Sequence, residues 1–220
     1  MSKNAYHAND DQEGNEDPIS LKILVVGKLA CGKTSIIQRY CNNDFQGRYK
    51  PTIGVDFQTK EIEVGNRRVI LQLWDIAGQE RFGHMTRVYF QNADGAIVVF
   101  DATRPGTFTG AKEWKDDIDN CFPAAEGEEG LPTILLANKI DLLQPPYQFP
   151  EDIDTFCQNN VFYKHFFTSA KEDTNINEGI DELVKKILES EQHQKTNPNA
   201  FKLTPNTEPT TTTPTTKTCC

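Results

Sequence analysis

The 220-residue sequence has no run of about 18 apolar residues, so nothing in it reads as a membrane span. It opens without the charged-then-apolar pattern of a signal peptide. Ser2 excludes N-myristoylation. Basic residues are scarce: 23 Lys and Arg stand against 32 Asp and Glu, a net charge of −9 that argues against a nucleic-acid partner. Six cysteines are present, without metal-ligand spacing, and Cys31, Cys41, Cys121 and Cys157 read as buried, reduced thiols. No internal repeat is visible. Both ends lack packing material. Residues 1–19 carry five acids against one Lys, and residues 191–220 contain "LTPNTEPTTTTPTTKT"; both read as disordered. Residues 20–190 remain as one folded domain.

That domain alternates strands with helices. "LKILVV" (21–26) is a short apolar strand that stops at Gly27, and helical spacing starts near Lys33. "FQTKEIEV" (57–64) and "RRVILQLWD" (67–75) flank a Gly-Asn turn and predict a hairpin. "GAIVVFD" (95–101) and "PTILLANK" (132–139) are near-continuous apolar runs, as for parallel strands covered on both faces. Helices are expected over 108–118 and 176–190. The pattern is that of an α/β sheet with helical crossovers.

Four segments carry chemistry. "GKLACGKT" (27–34) is a Gly-x-x-x-x-Gly-Lys-Thr phosphate loop placed between strand and helix. Gly27, Leu29, Ala30, Cys31, Gly32, Lys33, Thr34 and Ser35 are its candidate nucleotide-binding residues. The N–H groups of 28–34 can wrap phosphate oxygens, Lys33 can reach the β- and γ-phosphates, and the Thr34 hydroxyl can ligate Mg²⁺. In "WDIAGQE" (74–80), Asp75 can hold a Mg²⁺ water, Gly78 allows close approach to a γ-phosphate, and Gln79 can orient the attacking water. In "NKID" (138–141), beside Asn138 and Lys139, the Asp141 carboxylate can accept from guanine N1 and N2, a donor pair adenine lacks. In "TSAK" (168–171), flanked by Ser169 and Lys171, the Ala170 N–H can donate to guanine O6. All four follow strands, which places them at one sheet edge.

The order GKLACGKT, PTIGVDF, WDIAGQE, NKID, SAK resembles that of Ras-superfamily small GTPases. "TIGVDF", "WDIAGQERF" and the terminal Cys-Cys resemble the Rab family within them. "IAGQERFGHMTRVYF", with Ile76 where most Rabs have Thr, is similar to the branch of lysosome-related organelles, melanosomes and mitochondria-proximal membranes. The likeness implies the P-loop small-GTPase fold: a six-stranded, mostly parallel sheet with one antiparallel strand and five flanking helices. It implies that Thr52 meets Mg²⁺ and the γ-phosphate, giving Thr34, Thr52 and Asp75 as the metal set. Phe45 would lie edge-on against guanine, although an ordinary core phenylalanine reads the same way. Phe57, Trp74 and Tyr89 would form an aromatic triad read by effectors, and Phe57 and Trp74 equally suit core packing of their strands.

The same likeness implies a monomeric GTPase switch whose segments 44–57 and 76–90 are ordered by GTP and Mg²⁺. Its partners would be a guanine nucleotide exchange factor, a GTPase-activating protein, a GDP dissociation inhibitor or escort protein, and effectors. It would act on the cytoplasmic face of an endosomal or lysosome-related membrane, controlling vesicle traffic, with an escorted cytosolic pool. "TKTCC" is not a C-a-a-X box, and Cys219 and Cys220 match the double geranylgeranylation site of Rabs. Two lipid chains anchor stably where one binds marginally, and this tail has few lysines to help. One position departs from the pattern. Leu29 stands where Ras has glycine and many Rabs serine. Phosphate binding through backbone N–H groups should survive, while intrinsic hydrolysis should be slow and rescued by an activating protein. A GTP-loaded scaffold with negligible hydrolysis is the alternative; a Leu29 side chain that points away and changes nothing is another.

Overall fold

The computed structural model describes residues 17–48, 50–79, 86–124 and 129–196. Its elements run β1 (Ile19–Val26), α1 (Lys33–Asn42), β2 (Val55–Val64), β3 (Arg67–Ile76), α2 (Thr86–Phe90), β4 (Gly95–Asp101), α3 (Pro105–Cys121), β5 (Thr133–Asn138), a 3₁₀ turn (Ile140–Leu142), α4 (Ile153–Asn159), β6 (Lys164–Thr168) and α5 (Ile176–Thr196). Six strands form one sheet in the order β2-β3-β1-β4-β5-β6. β2 and β3 pair antiparallel through a two-residue turn that sets Val64 opposite Arg67, and every other pairing is parallel.

Strand periodicity divides the core. Leu21, Ile23 and Val25 of β1 face one side of the sheet, packing with Ile36, Ile37 and Tyr40 of α1 and Ile180, Leu183, Val184 and Ile187 of α5. Leu24 and Val26 face the other, against Phe108, Ala111, Trp114 and Ile118 of α3 and Phe156 of α4. In α5, Ile180, Leu183, Val184 and Ile187 stand at i, i+3, i+4 and i+7, so the helix buries one stripe. All seven residues of β4 and all six of β5 are buried, because helices cover both faces.

α5 continues through Thr196, past the tail boundary expected at 190. Its last turns, "EQHQKT", hold no helix breaker. β1 likewise starts at Ile19, inside the segment assigned to the acidic extension, because Ile19 pairs with Val69. Among the described residues five α-helices flank the sheet, the number that the likeness implies; α2, α4 and the 3₁₀ turn are short, with no sustained helical periodicity to place them by spacing alone.

β1 lies between β3 and β4; the chain runs from β1 outward to β2 and β3 on one side, then crosses over to β4 on the other. The reversal opens a crevice at the carboxyl end of β1, the usual ligand position in such sheets.

Candidate nucleotide-binding site

A cavity of about 740 Å³ occupies that crevice. Leu29, Ala30, Gly32, Lys33, Thr34 and Ser35 line it from the phosphate loop and the start of α1; Phe45 and Thr52 line it from the α1–β2 segment; Gly78, Asn138, Lys139, Asp141, Ala170 and Lys171 complete it. Gln38, Arg48, Lys50, Ile53 and Asp56 also reach it, although the motifs did not point to them. Five cationic side chains face it against two acidic ones. A chain of net charge −9 thus concentrates positive charge at one place, as a polyphosphate requires.

The loop from β1 to α1 is held by its carbonyls. Lys33 Nζ, on a nearly fully buried side chain, donates to Gly27 O at 3.0 Å and Lys28 O at 3.4 Å. Arg104 Nη2 donates to Leu29 O at 3.0 Å, Lys139 Nζ to Ala30 O at 2.8 Å, and Asn138 Nδ2 to Cys31 O at 3.0 Å. In a trans peptide C=O and N–H point opposite ways. Holding the Leu29 and Cys31 carbonyls outward therefore turns the Ala30 and Gly32 N–H groups inward. Gly32 caps α1 without a side-chain acceptor, and no acidic residue sits in the first turn. The helix's orphan N–H groups and its positive end are left for an anion. Gly32 is required here: its φ is +104°, and a Cβ would come within 2.2 Å of Asn138 Nδ2. Cys31 is fully buried, and burial pushes its thiol pKa up, so it acts through its backbone.

The proposed metal ligands meet. Thr34 Oγ1 donates to Asp75 Oδ2 in a short hydrogen bond, Thr52 Oγ1 donates to the same oxygen at 3.1 Å, and the two hydroxyls lie 3.0 Å apart. They come from α1, the α1–β2 segment and the end of β3. Burial pushes the Asp75 carboxyl pKa up, against the Thr34 hydrogen bond and the Lys33 charge. Asp75 Oδ1 is buried without a hydrogen-bond partner. A carboxylate and two hydroxyls with an orphaned oxygen are a donor set that fits Mg²⁺, which takes few protein ligands and completes its shell with water and phosphate. Among the described residues no cluster of His, Cys, Asp and Glu offers another metal site.

At the far end, Asn138 joins three loops: besides Cys31 O, its Oδ1 accepts from Ala170 N at 3.3 Å. Ser169 Oγ donates to Asp141 Oδ1 at 2.7 Å and orients that carboxylate at the cavity wall. Lys171 pairs with Glu172 at 2.8 Å. Gly78 sits against the phosphate loop, where a Cβ would lie 2.4 Å from Leu29 N. Gln79 is exposed and is not among the described residues that line the cavity. Phe57 and Trp74 stack at 5.6 Å on neighbouring strands, with Phe57 56% exposed, while Tyr89 of α2 is half-buried against the α3-side core. Residues 80–85, Cys219 and Cys220 lie outside the described residues.

Sequence reasoning missed Asp101. It ends β4 almost fully buried, accepting from Lys139 Nζ at 2.8 Å, Arg104 Nε at 2.9 Å and Thr103 N at 3.0 Å. Burial works to raise its pKa, but the Lys139 and Thr103 hydrogen bonds prevail and hold it below the usual carboxylate range. Its signal was present: a lone acid closing the apolar run "GAIVVFD".

Comparison with known proteins agrees with this geometry. Residues 22–189 match the model of the Ras family. The chain is 70% identical over 206 residues to Ras-related protein Rab-32C of Dictyostelium discoideum, covering 93% of this chain and 90% of that one. It is 48% identical to human Ras-related protein Rab-32 over 172 residues, 78% of this chain and 76% of that one. Human Ras-related protein Rab-7L1 is 44% identical over 177 residues, 80% and 85% of the two chains. Members of this family bind GTP and GDP, hydrolyse GTP, work with regulators and effectors, and associate with intracellular membranes. The phosphate loop, the carboxylate at the cavity wall and these likenesses lead to one assignment: the chain belongs to the Ras family, as a Rab small GTPase of the Rab-32 branch and thus a regulator of vesicle traffic.

Proposed function

We propose that the protein cycles between GDP and GTP forms and, when GTP-loaded, recruits effectors to a lysosome-related or endosomal membrane. The observation that carries this is the meeting of Thr34, Thr52 and Asp75. Thr52 belongs to a segment that, over its described residues 43–48 and 50–54, has no helix or strand of its own. Thr34, Thr52 and Asp75 would hold Mg²⁺, which would supply positive charge to offset that of the phosphates. Loss of the γ-phosphate would remove the partner that Thr52 and Gly78 address and release the two backbone stretches that carry them. Asp141, oriented by Ser169, would accept from guanine N1 and N2; Ala170 N–H would serve O6, and Phe45 would cover the base. Gln79 would swing in to orient the attacking water once an activating partner docks.

Phe57, Trp74 and Tyr89 would form the effector surface. Cys219 and Cys220 would carry the lipids that hold the protein on the membrane; among the described residues no helix is long and apolar enough to cross one. An exchange factor, an activating protein and a dissociation inhibitor or escort would set the populations. The scaffold alternative raised by Leu29 gains no support, since hydrolysis accompanies family membership.

Amide hydrogen exchange over residues 44–57 tests the switch. Exchange should slow by tenfold or more with a non-hydrolysable GTP analogue and Mg²⁺ relative to GDP. Equal protection in both states would overturn the reading.

A further inference from the structure

Among the described residues, the Leu29 carbonyl is the one in the phosphate loop held by a side chain from outside the motif segments. Lys33 serves Gly27 and Lys28, Lys139 serves Ala30 and Asn138 serves Cys31, but Leu29 is served by Arg104, immediately before α3. Arg104 is a rigid mount. Its N–H donates to Asp101 O at 2.9 Å, and its own carbonyl accepts from Thr107 N at 2.9 Å and Thr107 Oγ1 at 2.7 Å. Its guanidinium is fixed at Nε by the buried Asp101 carboxylate at 2.9 Å, leaving Nη2 to reach across to Leu29. Asp101 is fixed in turn by Lys139 and Thr103. One carboxylate thus anchors two cations that grip adjacent carbonyls of the loop.

The grip acts on a strained turn. Ala30 has φ +59°, a left-handed conformation that costs an L-residue free energy and persists only where surroundings impose it. The Leu29–Ala30 peptide, held by Arg104, is the unit that turns the Ala30 N–H toward the cavity. Without Nη2, that peptide is free to rotate and present its oxygen to a phosphate.

We infer that Arg104, mounted on Asp101, is a positioning residue that sets how long the site retains nucleotide. The inference rests on the reading of the cavity as a guanine-nucleotide site. Arg104 does not line the cavity; it acts through the Leu29 peptide. The guanidinium fork is needed, because one nitrogen serves Asp101 while another serves Leu29.

The test is dissociation of a fluorescent GDP from the full-length protein with Mg²⁺, chased with excess GDP, for wild type, Arg104→Met and Arg104→Lys. Met keeps the stem and removes the donors. Release should be roughly five- to tenfold faster in Arg104→Met, a value reduced for the 46% exposure of the Arg104 side chain. Arg104→Lys should fall between, keeping the Asp101 pair but losing the fork. Amide exchange should rise in residues 27–33 and stay unchanged along α3, which a merely structural role would not produce. Arg104→Met within twofold of wild type, or Arg104→Lys equal to wild type, overturns the inference, as does equal loosening of α3. Failure of the wild type to bind the GDP probe overturns instead the site reading beneath it.

Discussion

Asn138→Ala removes a side chain that is 99% buried and ties three loops together. Two backbone groups lose their partner: Cys31 O, bonded at 3.0 Å, and Ala170 N, bonded at 3.3 Å. Each buried group left unpaired costs about 1–3 kcal/mol. The second bond is long, so the total expected is about 2–4 kcal/mol. In a domain of this size that lowers Tm by roughly 5–12 °C. A second effect is separable. Freed from Asn138, the phosphate loop and the Ala170 loop no longer hold their spacing, so GDP affinity falls as well. At a GDP concentration of 100 times Kd, binding stabilises the folded protein by about 2.7 kcal/mol; a hundredfold weaker Kd cuts this to about 0.4 kcal/mol at the same concentration. Thermal unfolding with and without GDP reads both quantities. A change under about 0.5 kcal/mol without GDP, together with an unchanged GDP increment, would refute the claim that Asn138 joins the loops.

Other outcomes follow from the same geometry. Asp101 has a lowered pKa, so its ionised form adds stability that is fully present above about pH 4, its ordinary value, and lost as pH falls through the lower folded value. Urea unfolding of wild type and Asp101→Asn should differ most at neutral pH and converge below about pH 4; a gap independent of pH would contradict the ionic role. Leu29 is 47% exposed and its loop offers phosphate its backbone, so Leu29→Gly should leave GTP affinity within about threefold while speeding single-turnover hydrolysis. An unchanged rate would show that Leu29 does not restrain the reaction. Phe57→Ala should keep Tm within about 2 °C, since the ring is largely exposed, yet abolish capture of GTP-dependent binding partners; retained capture would remove Phe57 from the effector surface.

Much of the sheet was legible because burial on two faces leaves a plain trace. β4 and β5 are buried throughout, and a polar residue, Asp101 or Asn138, ends each apolar run. The phosphate loop was legible for a different reason: close backbone approach demands Gly32, and charge neutralisation demands Lys33. β6 was harder to read, since it is an edge strand of five residues with mixed burial. α4 buries only Ile153, Phe156 and Cys157, too few to set up a period. Arg104 was illegible because it works 75 residues from Leu29 in sequence.

By itself the sequence determined the chemical inventory: a loop able to wrap phosphate, a carboxylate able to select guanine, and hydroxyls able to meet Mg²⁺. Local spacing suffices there, since each motif's geometry is set by a few adjoining residues and the strand before it. Only the tertiary structure decided how these parts constrain one another. Strand order β3-β1-β4-β5 brings Asp75 to Thr34 and Thr52, sets Asn138 against the loop it holds, and sets Asp101 where it anchors Arg104 and Lys139, which hold that loop. Those relations are hydrogen bonds between residues far apart in the chain, and their geometry exists only once the sheet has folded.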